Sequence, residues 1–166
     1  MEWKEEYTFD TFRINDGNRF AKAAAYTVAQ SSERSYIPLY IFGGSGTGKT
    51  HLTYAIGNYI KDQAPGCSVL YLGAEDYCKE IRKRMGESVH KINEYRANFR
   101  YVDVLLIEDV NLIKEDMGNE VLYHIINDFL NWNKRIVITS DCPPDRLDVD
   151  ARLLTKMESG IIAEIN

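Results

Sequence analysis

The residues best suited to chemistry are Gly43, Gly44, Ser45, Gly46, Thr47, Gly48, Lys49 and Thr50, which satisfy the spacing G-x-x-x-x-G-K-[ST]. Glycines at these positions let the backbone fold tightly, so that its N–H groups converge on phosphate oxygens. Lys49 then reaches the β- and γ-phosphates of a nucleoside triphosphate, and the Thr50 hydroxyl is offered to Mg²⁺. A second candidate is Val104-Leu105-Leu106-Ile107-Glu108-Asp109, four apolar residues ending in two acids. Such a strand delivers a carboxylate to Mg²⁺ and a second to the attacking water. Here Glu108 would serve the metal, in an order opposite to the common Asp-then-Glu. A third, weaker candidate is Val137-Ile138-Thr139-Ser140-Asp141, which sets polar side chains at a strand end.

These groups need a scaffold, and the polarity pattern supplies one. Pro38–Phe42, Ser68–Leu72, Val102–Ile107, Arg135–Thr139 and Ile161–Ile165 read as strands. Helices are expected over 18–30, 49–62, 74–85, 88–98, 119–132 and 150–157, and residues 7–14 alternate in polarity and read as extended. Strands alternating with helices predict an α/β fold, a five-stranded parallel sheet sandwiched between helices. The 166 residues predict one domain over 1–166, itself a core that can belong to a longer protein.

Composition narrows the function. With 20 Lys+Arg against 25 Asp+Glu the net charge is −5, which does not suit a protein that coats nucleic acid. From Lys79 to Arg100, however, seven basic residues face three acids, a local +4. Lys79, Arg82, Lys83 and Arg84 in this stretch are candidates for a phosphate backbone, weighed against a solvated helix face. Tyr95 and Tyr101 beside it could stack on bases, weighed against ordinary core and surface packing, which the pattern favours. No apolar run approaches the ~20 residues of a membrane span, and the acidic N-terminus does not resemble a secretory signal. Cys67, Cys78 and Cys142 lack any pattern of metal or disulfide spacing, as for reduced thiols in a cytoplasmic protein.

Longer stretches carry a resemblance. Tyr7-Thr8-Phe9-Asp10-Thr11-Phe12, Gly17-Asn18-Arg19-Phe20-Ala21, Gly48-Lys49-Thr50-His51-Leu52, Tyr101 through Ile107, and Thr139-Ser140-Asp141-Cys142-Pro143-Pro144 resemble, in order, the AAA+ domain of the DnaA family of bacterial replication initiators. The resemblance implies ATP or ADP with Mg²⁺, weak ATP hydrolysis and a role in DNA replication initiation. It implies that Phe12 to Asn18, including Ile14 and Asn18, wall the adenine, and that His51 belongs to the nucleotide-binding block. Thr139 to Asp141 become a γ-phosphate sensor, which makes Asp141 catalytic with Glu108 and Asp109. The helices from Ala74 to Asn98 match an insertion that contacts single-stranded DNA. Asp150 to Lys156 match a box that sends cations into a neighbouring subunit's nucleotide, with Arg152 and Lys156 as candidates. Implied partners are a second copy in head-to-tail association, helicase or initiator.

The departures are Lys156 where the family has an arginine, Glu108 for the first aspartate, and an end at Asn166 before the family's helical lid and DNA-binding domain. Rival readings are a helicase loader or IstB-like transposition ATPase, and a non-hydrolysing adaptor that keeps ADP as a structural ligand.

Overall fold

The computed structural model describes residues 2–31 and 33–166; Met1, the first residue of the acidic N-terminus, lies outside them. Five strands, β1 (Leu39–Phe42), β2 (Val69–Gly73), β3 (Val104–Glu108), β4 (Arg135–Ser140) and β5 (Ile162–Glu164), form one sheet in the order β2-β3-β4-β1-β5. Every neighbouring pair is parallel. The helices are α1 (Arg19–Gln30), α2 (Lys49–Gln63), α3 (Ala74–Met85), α4 (Val89–Asn98), α5 (Asp116–Asn131) and α6 (Ala151–Met157).

Period-2 alternation in the strands divides the core. Leu39, Ile41, Val104, Leu106 and Val137 point to one face, where α1 and α2 cover them with Ala21, Ala25, Val28, Leu52, Ile56 and Ile60. Tyr40, Leu105, Ile107, Ile136 and Ile138 point to the other, under α3, α4, α5 and α6. All five residues of β3 are buried, as a parallel strand covered on both faces requires. The sheet is therefore the expected α/β sandwich.

Two expectations need correction. Residues 7–14 form turns rather than an extended segment. The Thr8 and Thr11 hydroxyls each accept the other's backbone N–H, at 3.0 and 3.2 Å, which closes a tight loop. The apolar Tyr7, Phe9 and Phe12 are placed by packing on α2 and its neighbours: Tyr7 stacks on His51, and Phe12 meets the same ring edge-on. Helix α5 also begins at Asp116, before the expected Asn119. Gly118 in its first turn is tolerated because Ile113 closes over it, and the Tyr77 hydroxyl donates to its carbonyl at 2.6 Å.

Strand β1 runs straight into the glycine loop, and α2 starts at its end. The order of the strands reverses at β1, since β2 pairs far to one side and β5 on the other. Ligands in such sheets bind beyond the carboxyl ends of the strands at this reversal, where Gly43 to Thr50, Asp109 and Asp141 all lie.

Candidate nucleotide site

The loop has the backbone that phosphate binding needs. Gly46 and Gly48 have φ of 76° and 110°, the left-handed region that glycine alone enters without strain. A Cβ at Gly48 would also stand 2.9 Å from the Phe12 ring, and one at Gly43 would stand 2.1 Å from the Ile165 carbonyl oxygen. Helix α2 thus opens directly from the loop and aims its first N–H groups and dipole at the space above it. Lys49 folds back over that loop, its Nζ donating to the carbonyls of Gly43 and Gly44 at 2.6 and 2.7 Å. An ammonium so placed is at the mouth of the cradle as a point charge for a phosphate. Thr47 braces the loop by donating to the Gly44 carbonyl at 2.7 Å.

A cavity of about 430 Å³ joins this loop to the acids: Ser45, Lys49, Thr50, His51, Asp109 and Asp141 line it, together with Tyr7. A larger cavity of about 700 Å³ lies between the N-terminal residues and α1–α2. It carries Glu5, Asp10 and Asp62 and no part of the glycine loop, so it does not suit a polyphosphate.

Glu108 and Asp109 have different environments. Glu108 is 4% exposed, and its Oε2 accepts from the Thr50 hydroxyl at 3.1 Å and from the Tyr71 hydroxyl. Its Oε1 is buried with no hydrogen-bond partner among the described residues. The nearby Thr53 hydroxyl faces the carboxylate, but its proton goes to the Lys49 carbonyl at 2.8 Å. Burial raises the Glu108 pKa, while the hydroxyls of Tyr71, Thr53 and Thr50 pull it down and Asp109 pushes it up. Burial and Glu108 together push the Tyr71 pKa well up, which keeps that phenol a donor.

An orphaned carboxylate oxygen beside a threonine hydroxyl fits Mg²⁺. That ion keeps several waters and takes one or two protein oxygens plus substrate phosphates. No group of three or more His, Cys, Asp or Glu among the described residues could hold a metal by itself.

Asp109 is exposed and adopts φ 62°, ψ 45°, a left-handed conformation that aspartate tolerates at some cost. Its N–H donates to the buried Thr139 hydroxyl at 3.1 Å, which ties the end of β3 to β4. Asp141 is held in turn by Asn111, whose side-chain oxygen accepts the Asp141 N–H at 3.1 Å. Of the sensor candidates, Asp141 faces the cavity, while Thr139 and Ser140 are fully buried beneath it.

Asn18 is 3% exposed and orders the loop before α1. It accepts from the Asn15 N–H at 2.9 Å and donates to the Arg13 carbonyl at 3.1 Å. Ile14 in that loop is exposed, and Phe12 is buried against Gly48. His51 shares Nε2 between the Thr8 carbonyl, at 2.7 Å, and the Thr11 hydroxyl, at 3.2 Å, and so clips the N-terminal turn to α2.

The remaining candidates lie elsewhere. Arg152 bonds Glu120, lies 3.5 Å from Asp150 and rests 4.1 Å over the Tyr123 ring, on the surface of α5 and α6. Lys156 lines a separate cavity beside Arg34. On α3 and α4, Lys79, Arg82 and Arg84 pair with Glu75, Glu115 and Glu80, and Lys91 and Arg96 pair with Glu94 and Asp128. Glu75, Glu115 and Asp128 lie outside residues 79–100, so folding reduces the positive excess of that stretch. Lys83 makes no ion pair among the described residues. No helix among them is long and apolar enough to cross a membrane.

Sequence reasoning missed Tyr71, Asn111 and Tyr7. A tyrosine in a strand registers as a packing residue, and only the β2–β3 register reveals that Tyr71 reaches Glu108. Asn111 sits in a 3₁₀ turn, Val110–Leu112, that carries no pattern.

A model of the bacterial DnaA ATPase domain matches residues 3–164. Domain III of the Thermotoga maritima replication initiation protein DnaA is 36% identical, with a TM-score of 0.92, over 100% of this chain and 69% of that one. A replication initiator DnaA bound to AMPPCP and single-stranded DNA is 32% identical, with a TM-score of 0.89, over 99% of this chain and 51% of that one. The DnaC helicase loader matches at 18% identity and a TM-score of 0.77, over 97% of each chain, which is a likeness of fold alone. The chain spans about half the length of the second initiator.

Proposed function

The chain belongs to the family of bacterial DnaA ATPase domains, and from that premise we propose that it binds ATP and ADP with Mg²⁺ in the cavity over Gly43 to Thr50. The observation that carries this is the contact between Thr50 and Glu108, which brings an orphaned carboxylate oxygen beside the phosphate cradle. Thr50 and Glu108 would hold the Mg²⁺, which would supply positive charge against the β- and γ-phosphates. Lys49 leaves its carbonyls for the phosphate oxygens. Asp109 and Asp141 face the γ-phosphate from the ends of β3 and β4 and orient the attacking water. Ile14 and Asn18 shape the adenine side, Asn18 through the backbone it holds. Tyr71 fixes the Glu108 rotamer from beneath.

Hydrolysis is slow in this reading, because Asp109 is exposed and Lys156 lacks the planar fork of an arginine. The protein acts in DNA replication initiation in the cytoplasm, and its partners are a second copy, helicase or initiator. The bound AMPPCP and single-stranded DNA of the related initiator support nucleotide and DNA as ligands. Lys79, Arg82, Lys83 and Arg84 on α3 are the DNA-facing residues, and Lys83 needs no ion pair broken.

The test is ligand-linked melting. ADP at 100 times its Kd should stabilise the fold by about 2.7 kcal/mol, and Mg²⁺ should add to the shift. In Glu108→Gln the Mg²⁺ increment should vanish while the nucleotide shift remains. A Mg²⁺ increment that survives the substitution would remove Glu108 from the metal site.

A further inference from the structure

The side of α2 that lies over β2 and β3 carries Thr50, Tyr54 and Gly57, four and three residues apart and so on one helical face. Each meets a different partner. Thr50 donates to Glu108 at 3.1 Å. Tyr54 is buried and stacks on Tyr71 of β2, with ring centroids 4.4 Å apart and planes 16° from parallel. Gly57 leaves room for the Trp3 ring, which meets Tyr54 edge-on at 5.0 Å. The strands complete the arrangement. Gly73 is level with Glu108 in the β2–β3 register and has no side chain. Tyr71, two residues earlier and on the same face, reaches past it and donates its hydroxyl to Glu108.

A continuous line of contacts therefore runs from the N-terminal turns to the acid, through Trp3, Tyr54 and Tyr71. Its outer end is fixed, because Trp3 donates to Asn58 at 2.7 Å and the Lys61 ammonium lies 3.5 Å over its ring. A phenol ring stacked against a buried neighbour keeps one position, and the carboxylate it bonds is oriented with it. The nucleotide cavity is lined by none of the three rings, so what they do to that site passes through Glu108. We infer that Trp3, Tyr54 and Tyr71 are positioning residues for Mg²⁺ at Glu108, so that the seating of the N-terminal turns and the affinity for Mg²⁺ depend on one another. The inference rests on the nucleotide reading above and adds a regulation of that site. The dependence is reciprocal: by whatever factor the seated turns tighten Mg²⁺ binding, bound Mg²⁺ favours the seated turns.

The experiment uses the whole chain carrying Trp132→Phe, which leaves Trp3 as the sole tryptophan. ADP is titrated without Mg²⁺, and Mg²⁺ is then titrated into the ADP-saturated chain, followed by calorimetry and by Trp3 emission. Tyr71→Phe keeps the ring and its stack and removes only the donor. It should bind ADP alone like the parent, yet bind Mg²⁺ about tenfold more weakly. Trp3→Leu should also weaken Mg²⁺, by a smaller factor. In the Tyr71→Phe background it should weaken Mg²⁺ no further, since the line of contacts is already cut. Mg²⁺ should shift the parent's Trp3 emission to the blue, and Tyr71→Phe should abolish that shift. Mg²⁺ affinity in Tyr71→Phe equal to the parent's, losses that simply add in the double variant, or a parent emission indifferent to Mg²⁺ would overturn the inference and leave the nucleotide reading standing. Equal weakening of ADP alone and of Mg²⁺ would mean a general loosening of the site and would also overturn it. Failure of the parent to bind ADP would overturn the nucleotide reading first, and the inference with it.

Discussion

Glu108 concentrates the residue-scale argument, because burial and function pull it in opposite directions. A carboxyl buried to 4% exposure, with one oxygen unsatisfied, destabilises the fold when charged. Its folded pKa is raised, chiefly by burial, so between the ordinary carboxylate range and that raised value the folded chain holds a proton that the unfolded chain has lost. The stability it contributes is fully present below the unfolded pKa and is lost as pH rises through the folded one. Glu108→Gln should therefore raise the melting temperature near pH 7.5 without Mg²⁺ and change it little near pH 4. Equal shifts at both pH values would contradict this account. At Asp109 the strain is in the backbone. Asp109→Gly should fold with stability unchanged or higher, by up to about 1 kcal/mol, as φ 62° becomes free of cost. The same variant should lose turnover.

At the scale of elements, the site depends on how the N-terminal turns close over α2. Trp3 donates to Asn58 at 2.7 Å, and Asn58 donates back to the Lys4 and Tyr7 carbonyls. A Cβ at Gly57 would stand 2.7 Å from the Trp3 ring and 3.1 Å from Leu106. Gly57→Ala should cost about 1–3 kcal/mol through overpacking. It should also redden Trp3 emission, measured with Trp132→Phe to isolate that signal. Unchanged emission and melting would show that the turns do not depend on this close approach. The elements were legible wherever the period of the apolar residues was the cause of the structure. Val104 to Ile107 had to be a buried strand, and Gly43 to Thr50 had to join a strand to a helix. Residues 7–14 misled because Tyr7, Phe9 and Phe12 are spaced to fit a helix pair, a tertiary cause that only partly mimics the period of a strand. Tyr71 was not legible, because it matters only through Glu108, far along the chain.

For the whole molecule the question is where charge ends up after folding. The local excess read between Lys79 and Arg100 is largely offset by carboxylates from elsewhere, and Lys83 makes no ion pair among the described residues. Three phosphate contacts would change the salt slope of single-strand binding by roughly 2, at about 0.7 each. Neutralising Arg82, Lys83 and Arg84 together should lower it by only about 0.7, read by anisotropy of a labelled oligonucleotide across salt concentrations. A fall near 2 would mean that the ion pairs to Glu115 and Glu80 open when DNA binds.

The central claim is that Gly43 to Thr50 cradle the phosphates of a nucleotide. Calorimetric titration of ADP with Mg²⁺ into wild type and Lys49→Ala tests it most directly. The wild type should bind one nucleotide per chain. The variant, without the ammonium that now rests on the Gly43 and Gly44 carbonyls, should bind at least about tenfold more weakly, a loss of ~1.4 kcal/mol. Equal affinities for the two proteins would contradict the account.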